Sequence, residues 1–136
     1  MRILGIDHGT RRIGLALSDP MEIIAQPLEY VPAEPAAAAL ERLCAIVKDQ
    51  EVSRVVVGMP RNMDGSFGPA ADQVREFVRV LREVMTVPVE TWDERLTTAQ
   101  AQRSLIQAGV RRRARKEKVD RLAAAILLQS YLDAHS

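Results

Sequence analysis

With 136 residues, 47% of them hydrophobic, the chain can build one cored domain, 1–136, and leaves little room for a second. Its one cysteine excludes an intrachain disulfide and a thiolate zinc centre, and no apolar run approaches the roughly 18 residues of a membrane span. The formal net charge of +1 hides an uneven spread: Arg95 to Arg121 holds nine Arg and Lys against Glu117 and Asp120, whereas Met1 to Glu94 holds ten basic and fifteen acidic residues.

Such a division suits a polyanion whose backbone is guided by one element and attacked at another. No signal-peptide pattern precedes the first apolar run, so the expected location is the cytoplasm.

Ile3-Leu4-Gly5-Ile6 reads as a short buried strand and Ile13-Gly14-Leu15-Ala16-Leu17 as a second. The intervening His8-Gly9-Thr10-Arg11-Arg12 is too short for a crossover helix, so an antiparallel hairpin is expected. A third strand is expected around Ile23 to Leu28, its limits blurred by Pro20 and Pro27. Ala37, Leu40, Leu43, Cys44 and Val47 then fall on one helical face, with Cys44 as a small core residue. Val52 to Val57 is rich in β-branched residues and ends at Gly58-Met59-Pro60. Val74, Phe77, Val78, Leu81 and Met85 mark the next helix. Val87 to Trp92 follows as a short strand, placed at an edge or beginning there because of Pro88. Two helices, about Thr98 to Ala108 and about Lys116 to Leu132, finish the chain across Gly109 and a basic run. Strand and helix alternate after a hairpin, which implies a mixed sheet with helices packed on it.

Three carboxylates stand out. Asp7 ends the first strand, and pleat alternation puts it on the side of Ile3 and Gly5, at the sheet's margin. Asp120 shares a helical face with Ala123, Ala124, Leu127, Leu128 and Tyr131, where an ionised carboxylate is costly unless a cation compensates it. The small Ala123 and Ala124 would let that helix approach the sheet closely. A border position with Lys116 or Arg121 as partner is the plainer alternative. Asp93 and Glu94 follow the strand ending at Trp92 and could serve as helix-capping charge; Glu94 is the better ligand, with Asp93 as helper. Carboxylates from separate elements can hold Mg2+ or Mn2+, in two-ion sites about 3.5 to 4 Å apart, for in-line phosphoryl displacement.

Around this set lie groups suited to phosphate: Thr10, Arg11 and Arg12 in the first turn, Arg61 and Asn62 after the strand that ends at Pro60, and Arg95 beside Glu94. His8 is a candidate for proton transfer or phosphate orientation, although a lone turn histidine usually has neither role. Arg111, Arg112, Arg113, Arg115, Lys116 and Lys118 precede Asp120 and could hold a nucleic-acid backbone, or form a solvated loop. Aromatic residues are 4% of the chain, too few to support a base-stacking platform.

Four blocks together carry a resemblance over nearly the whole chain. They are Gly5-Ile6-Asp7-His8-Gly9-Thr10-Arg11-Arg12-Ile13-Gly14, Val57 through Gly65, Asp93 through Thr98, and Lys118 through Leu127. In this order they resemble the YqgF/RuvX family of Holliday-junction resolvases and pre-16S ribosomal RNA nucleases. The resemblance implies an α/β, RNase H-like fold: a mixed five-stranded sheet with an N-terminal antiparallel hairpin and flanking helices. It also implies metal-dependent cleavage of nucleic acid, with the family acids at Asp7, Glu94 and Asp120. Structured precursor rRNA, in a pre-ribosomal particle, is the substrate it favours; four-way DNA is the alternative, and the chain would act as a monomer or homodimer. The RuvC resolvases have an acid at the end of their fourth strand, where this chain has Gly58-Met59-Pro60, so Glu94 must supply that charge.

An actin-like or sugar-kinase ATPase shares the acidic residue and Gly-Thr turn of Asp7 to Thr10, but it needs two lobes. No P-loop or Gly-x-Gly-x-x-Gly pattern is present. A non-catalytic RNA-binding module would explain the basic run but not Asp120.

Overall fold

The two N-terminal apolar runs pair as an antiparallel hairpin of β1 (Arg2–His8) and β2 (Arg12–Ser18), in the register Leu4 opposite Leu17 and Asp7 opposite Gly14. The structure is a computed structural model, and it describes residues 1–97, 99–110 and 122–136. β3 (Ala25–Pro32) pairs antiparallel with β2, while β4 (Val52–Met59) and β5 (Val89–Asp93) run parallel to β1. The sheet order is β3-β2-β1-β4-β5, the mixed five-stranded arrangement expected, with β5 at an edge.

β3 begins later than the sequence pattern suggested. The Asp19 carboxylate accepts hydrogen bonds from the backbone N–H groups of Met21, Ile23 and Ile24, which holds these residues in a turn. The strand then runs through Pro27 and ends at Pro32, as an edge strand can.

Alternating side chains divide the sheet between two apolar layers. Leu4, Ile6, Ile13, Leu15, Val55, Val57 and Val89 face α1 (Ala36–Asp49) and α2 (Pro69–Val84). Within α1 the buried residues are Ala39, Leu43, Ile46 and Val47, so the packing face is rotated from the expected one and Cys44 is only half-buried. Ile3, Ala16, Ala25 and Val56 face the other way, against α3 (Ala99–Gln107) and the last described helix, α4 (Ala123–Ala134).

α4 is buried almost all round, with Ala124, Ala125, Leu127, Leu128, Tyr131 and Leu132 in the layer beneath the sheet or beside it. Ala123 is exposed, so the close approach expected of Ala123 and Ala124 together belongs to Ala124 alone. The expected first part of this helix, from Lys116 to Arg121, lies outside the described residues. Buried Gln129 pins the helix to β3: its Oε1 accepts from the Ala25 N–H at 2.9 Å and its Nε2 donates to the Ile23 carbonyl at 3.0 Å. The helix comes closest over Gly5, where an added Cβ would lie 2.8 Å from Leu128 Cβ and 3.4 Å from the Ala124 carbonyl oxygen. Replacing Gly5 by Ala should therefore lower unfolding free energy by about 1–3 kcal/mol, the usual cost of overpacking, measured by urea denaturation against wild type.

Candidate active site

On the α4 side of the sheet, one row of residues crosses all five strands. Tyr30 on β3 is opposite Gly14 on β2, and Gly14 is opposite Asp7 on β1. Ile6 pairs with Val57 on β4, which brings Gly58 beside Asp7, and Gly58 pairs with Trp92 on β5. Asp7 thus stands between two glycines, and neither neighbouring strand has a side chain of its own beside it. As expected, it lies on the face of Ile3 and Gly5.

Glu94 fills the gap on one side. A Cβ on Gly58 would meet Glu94 Oε1 at 2.9 Å, Glu94 Cγ at 3.2 Å and Leu127 Cδ2 at 2.9 Å, so any larger residue would displace the carboxylate. The chain is held for this purpose just after β5, in a 3₁₀ turn, Glu94–Leu96. Ser130 on α4 clasps the turn from both ends: its Oγ accepts from the Trp92 indole N–H at 2.9 Å and donates to the Leu96 carbonyl at 2.5 Å. Asp7 and Glu94 line an open cleft of about 370 Å³, together with Thr97, Gln102, Ala123, Ile126 and Leu127.

The electrostatics of the cleft oppose its own contents. Burial raises the Glu94 carboxyl above the ordinary range, and the negative charges of Asp7 and then Asp93 raise it further. Two oxygen-donor carboxylates that repel each other at a half-buried site suit a hard divalent cation, which would offset both charges. Among the described residues no group of three metal-capable side chains occurs. Asp120, the third expected acid, lies outside the described residues, as do Arg111, Arg112, Arg113, Arg115, Lys116 and Lys118.

The remaining expected residues divide. Asp93 turns away from the cleft and caps the 3₁₀ turn, accepting from the Arg95 backbone N–H at 2.9 Å. Its Oδ2 also meets Arg95 Nη2 at 2.8 Å and Arg61 Nη1 at 3.4 Å. The Arg95 guanidinium holds the Asp93 carboxyl below its ordinary range. Arg61 is further occupied by the Gly65 carbonyl, which accepts from its Nε and Nη2, and Asn62 donates to Ser66 Oγ within the same loop. Arg61, Arg95 and Asp93 therefore form an ionic brace behind Glu94.

His8 faces the opposite layer, tilted against Phe77 with ring centroids 4.4 Å apart. Burial lowers its pKa, against the smaller upward pull of Asp7. With Gly9 and Thr10 it lines a separate cavity of about 620 Å³ between the first turn, α1 and α2. Thr10, Arg11 and Arg12 are exposed on the turn, with the Arg12 guanidinium 4.6 Å from the centroid of the Tyr30 ring.

Gly14, Gly58 and Tyr30 went unnoticed as site residues in the sequence pattern. Gly58 carries a signal only as a strand terminator, and the emptiness it provides is visible once β1, β4 and β5 lie side by side.

Because the raised Glu94 carboxyl makes its ionised form less stable in the fold than in the unfolded chain, the Glu94→Gln variant has a pH-dependent consequence. Below the ordinary Glu range both states are protonated and the variant gains nothing. Above the raised folded value the wild type carries the full penalty. Thermal melts of metal-free protein should show E94Q more stable than wild type at pH 7, and the gain should vanish near pH 3.5.

The chain matches the family model described as RuvX: Holliday junction resolvase over residues 1–134. A protein of Pelotomaculum thermopropionicum named "Putative pre-16S rRNA nuclease" is 46% identical over 135 residues, covering 98% of this chain and 88% of its own. One of the same name from Halothermothrix orenii is 45% identical over 133 residues, with 98% and 95% covered. Among solved structures, Thermus thermophilus RuvC superposes with a TM-score of 0.58 at 19% identity, covering 99% of this chain and 96% of its own. The fowlpox virus Holliday junction resolvase gives 0.60 at 14% identity, covering 100% of both chains. These neighbours share the RNase H-like fold. On the family match along nearly its whole length, the chain belongs to the RuvX family.

Proposed function

We propose that residues 1–136 act as one metal-dependent nuclease domain that hydrolyses phosphodiester bonds in the 5′-end maturation of precursor 16S rRNA. The observation that carries this reading is Glu94 seated in the space over Gly58, beside Asp7 and in charge conflict with it. Asp93, next in the chain, has a structural part instead, with Arg95 and Arg61 as its partners. The names of the relatives support rRNA as the substrate.

Asp7, Glu94 and Asp120 would hold Mg2+ or Mn2+, and the bound ion supplies Lewis acidity that activates water and offsets charge on the phosphate. The residues of the chain do the rest. Asp7, fixed on the central strand, and Glu94, braced by Ser130 and the Arg95–Asp93–Arg61 network, define where oxygen ligands point. Arg11, Arg12 and Thr10 approach the phosphate from the first turn. The basic segment from Arg111 to Lys118 tracks the backbone without reading bases, so affinity should fall steeply with salt. The cytoplasm is the location this substrate requires.

The test compares wild type, D7N, E94Q and D120N on a precursor 16S rRNA 5′ fragment and on a four-way DNA junction, with Mg2+ or Mn2+. Wild type should cut the RNA, and each acid variant should lose more than the roughly 10- to 100-fold that removal of an outer partner costs. Equal activity in all four proteins would refute the site; cleavage of the junction alone would make DNA the substrate, as the family description has it. Gly58→Ala keeps every acid yet forces Glu94 aside, and its kcat should fall while RNA affinity, measured by filter binding without metal, stays within about twofold of wild type.

A further inference from the structure

Across Asp7 from Glu94, the other glycine gap is bordered by Tyr30. A Cβ on Gly14 would lie 3.7 Å from Tyr30 Cε1, 3.8 Å from Asp7 Cβ and 3.8 Å from Ala124 Cβ, so these three side chains converge over one missing residue. Tyr30 as a whole is only partly buried, yet its hydroxyl oxygen is sealed from solvent and has no hydrogen-bond partner among the described residues. The ring therefore runs inward, tip first, towards the junction of the sheet and α4. The Arg12 guanidinium, 4.6 Å from the ring centroid, covers it. The β2–β3 register slips between Gly14 and Ala16, immediately beside this pair, the kind of irregularity that re-aims a strand's side chains.

A sealed phenol without an acceptor is costly, because its hydration is lost and nothing replaces it. Natural folds seldom keep such a group without using it. Phenylalanine would fill the same volume without that cost.

We propose that Tyr30 is a positioning residue for Asp7: when a divalent ion is bound, its hydroxyl donates to the Asp7 carboxylate and fixes the direction in which the remaining oxygen faces the cleft. This rests on the reading of Asp7 as a metal ligand. Ligating carboxylates generally need such an outer donor, and losing one typically weakens metal affinity about 10- to 100-fold. The site is then flanked on both sides of β1: Glu94 over Gly58 adds a second ligand, and Tyr30 over Gly14 holds the first in place.

The experiment titrates Mn2+ alone, without nucleic acid, into wild type, Y30F, D7N and E94Q by calorimetry, and records thermal melts of the metal-free proteins. Tyr30→Phe should weaken Mn2+ binding at least about tenfold, with a metal-free melting temperature equal to or above that of wild type, since an unsatisfied hydroxyl has been removed. A purely structural tyrosine would give the reverse, a lower melting temperature with Mn2+ affinity unchanged. A loss of affinity below tenfold, or one accompanied by a lower metal-free melting temperature, overturns the assignment. If D7N and E94Q abolish binding while Y30F does not reach that loss, the role of Tyr30 alone falls. If wild type binds no Mn2+, the metal-site reading falls and this assignment with it.

Discussion

The cleft depends on how near α4 lies to the central strand. Leu128 Cβ comes within 2.8 Å of the place where Gly5 would carry a side chain, a distance that only glycine on β1 permits. That approach brings Leu127 over Gly58 and Ala124 over Gly14, and so sets the walls between which Asp7 is held. Gln129 fixes the same helix at the far side of the sheet through two backbone groups of the β3 region, and Ser130 fixes the turn bearing Glu94. One helix thus holds the strands of the sheet against one another with hydrogen bonds as well as apolar contact, which makes the position of each acid a property of the whole layer.

Pleat alternation sorts the neighbouring acids into different roles. Trp92 belongs to the α4 side of β5, and Asp93 to the other side, where Arg61 and Arg95 neutralise it. Glu94 returns to the α4 side as the strand ends, and there it faces Asp7. The same rule separates Asp7 from His8. Adjacent in sequence, they face opposite layers, with His8 resting on Phe77.

Much of the fold could be read along the chain because it rests on short-range periodicity. Two short apolar runs about a brief polar turn marked the hairpin, β-branched residues marked β4, and Pro88 suited an edge position or a strand start, and β5 begins just after it at the sheet's edge. β3 starts after Ile23, where the pattern would begin it, because Asp19 captures the amides of Ile23 and Ile24, a contact made by side-chain geometry and not by hydrophobic pattern. The face of α1 departs from the pattern at half-buried Cys44 because periodicity gives a stripe's spacing but not its centre, which the sheet beneath decides.

By itself the sequence determined the order of elements and the face of β1 on which Asp7 lies, one residue before the strand ends at His8. Only the tertiary structure decided that Gly58 is the opening Glu94 occupies, that Asp93 belongs to an ionic brace, and that Tyr30 and Asp7 both border Gly14. The physical reason is that a strand's side-chain direction is local, repeating every two residues, whereas empty space is not local. A gap exists between residues of different strands, and it acquires a shape when hydrogen-bond register and the helix above it are both in place.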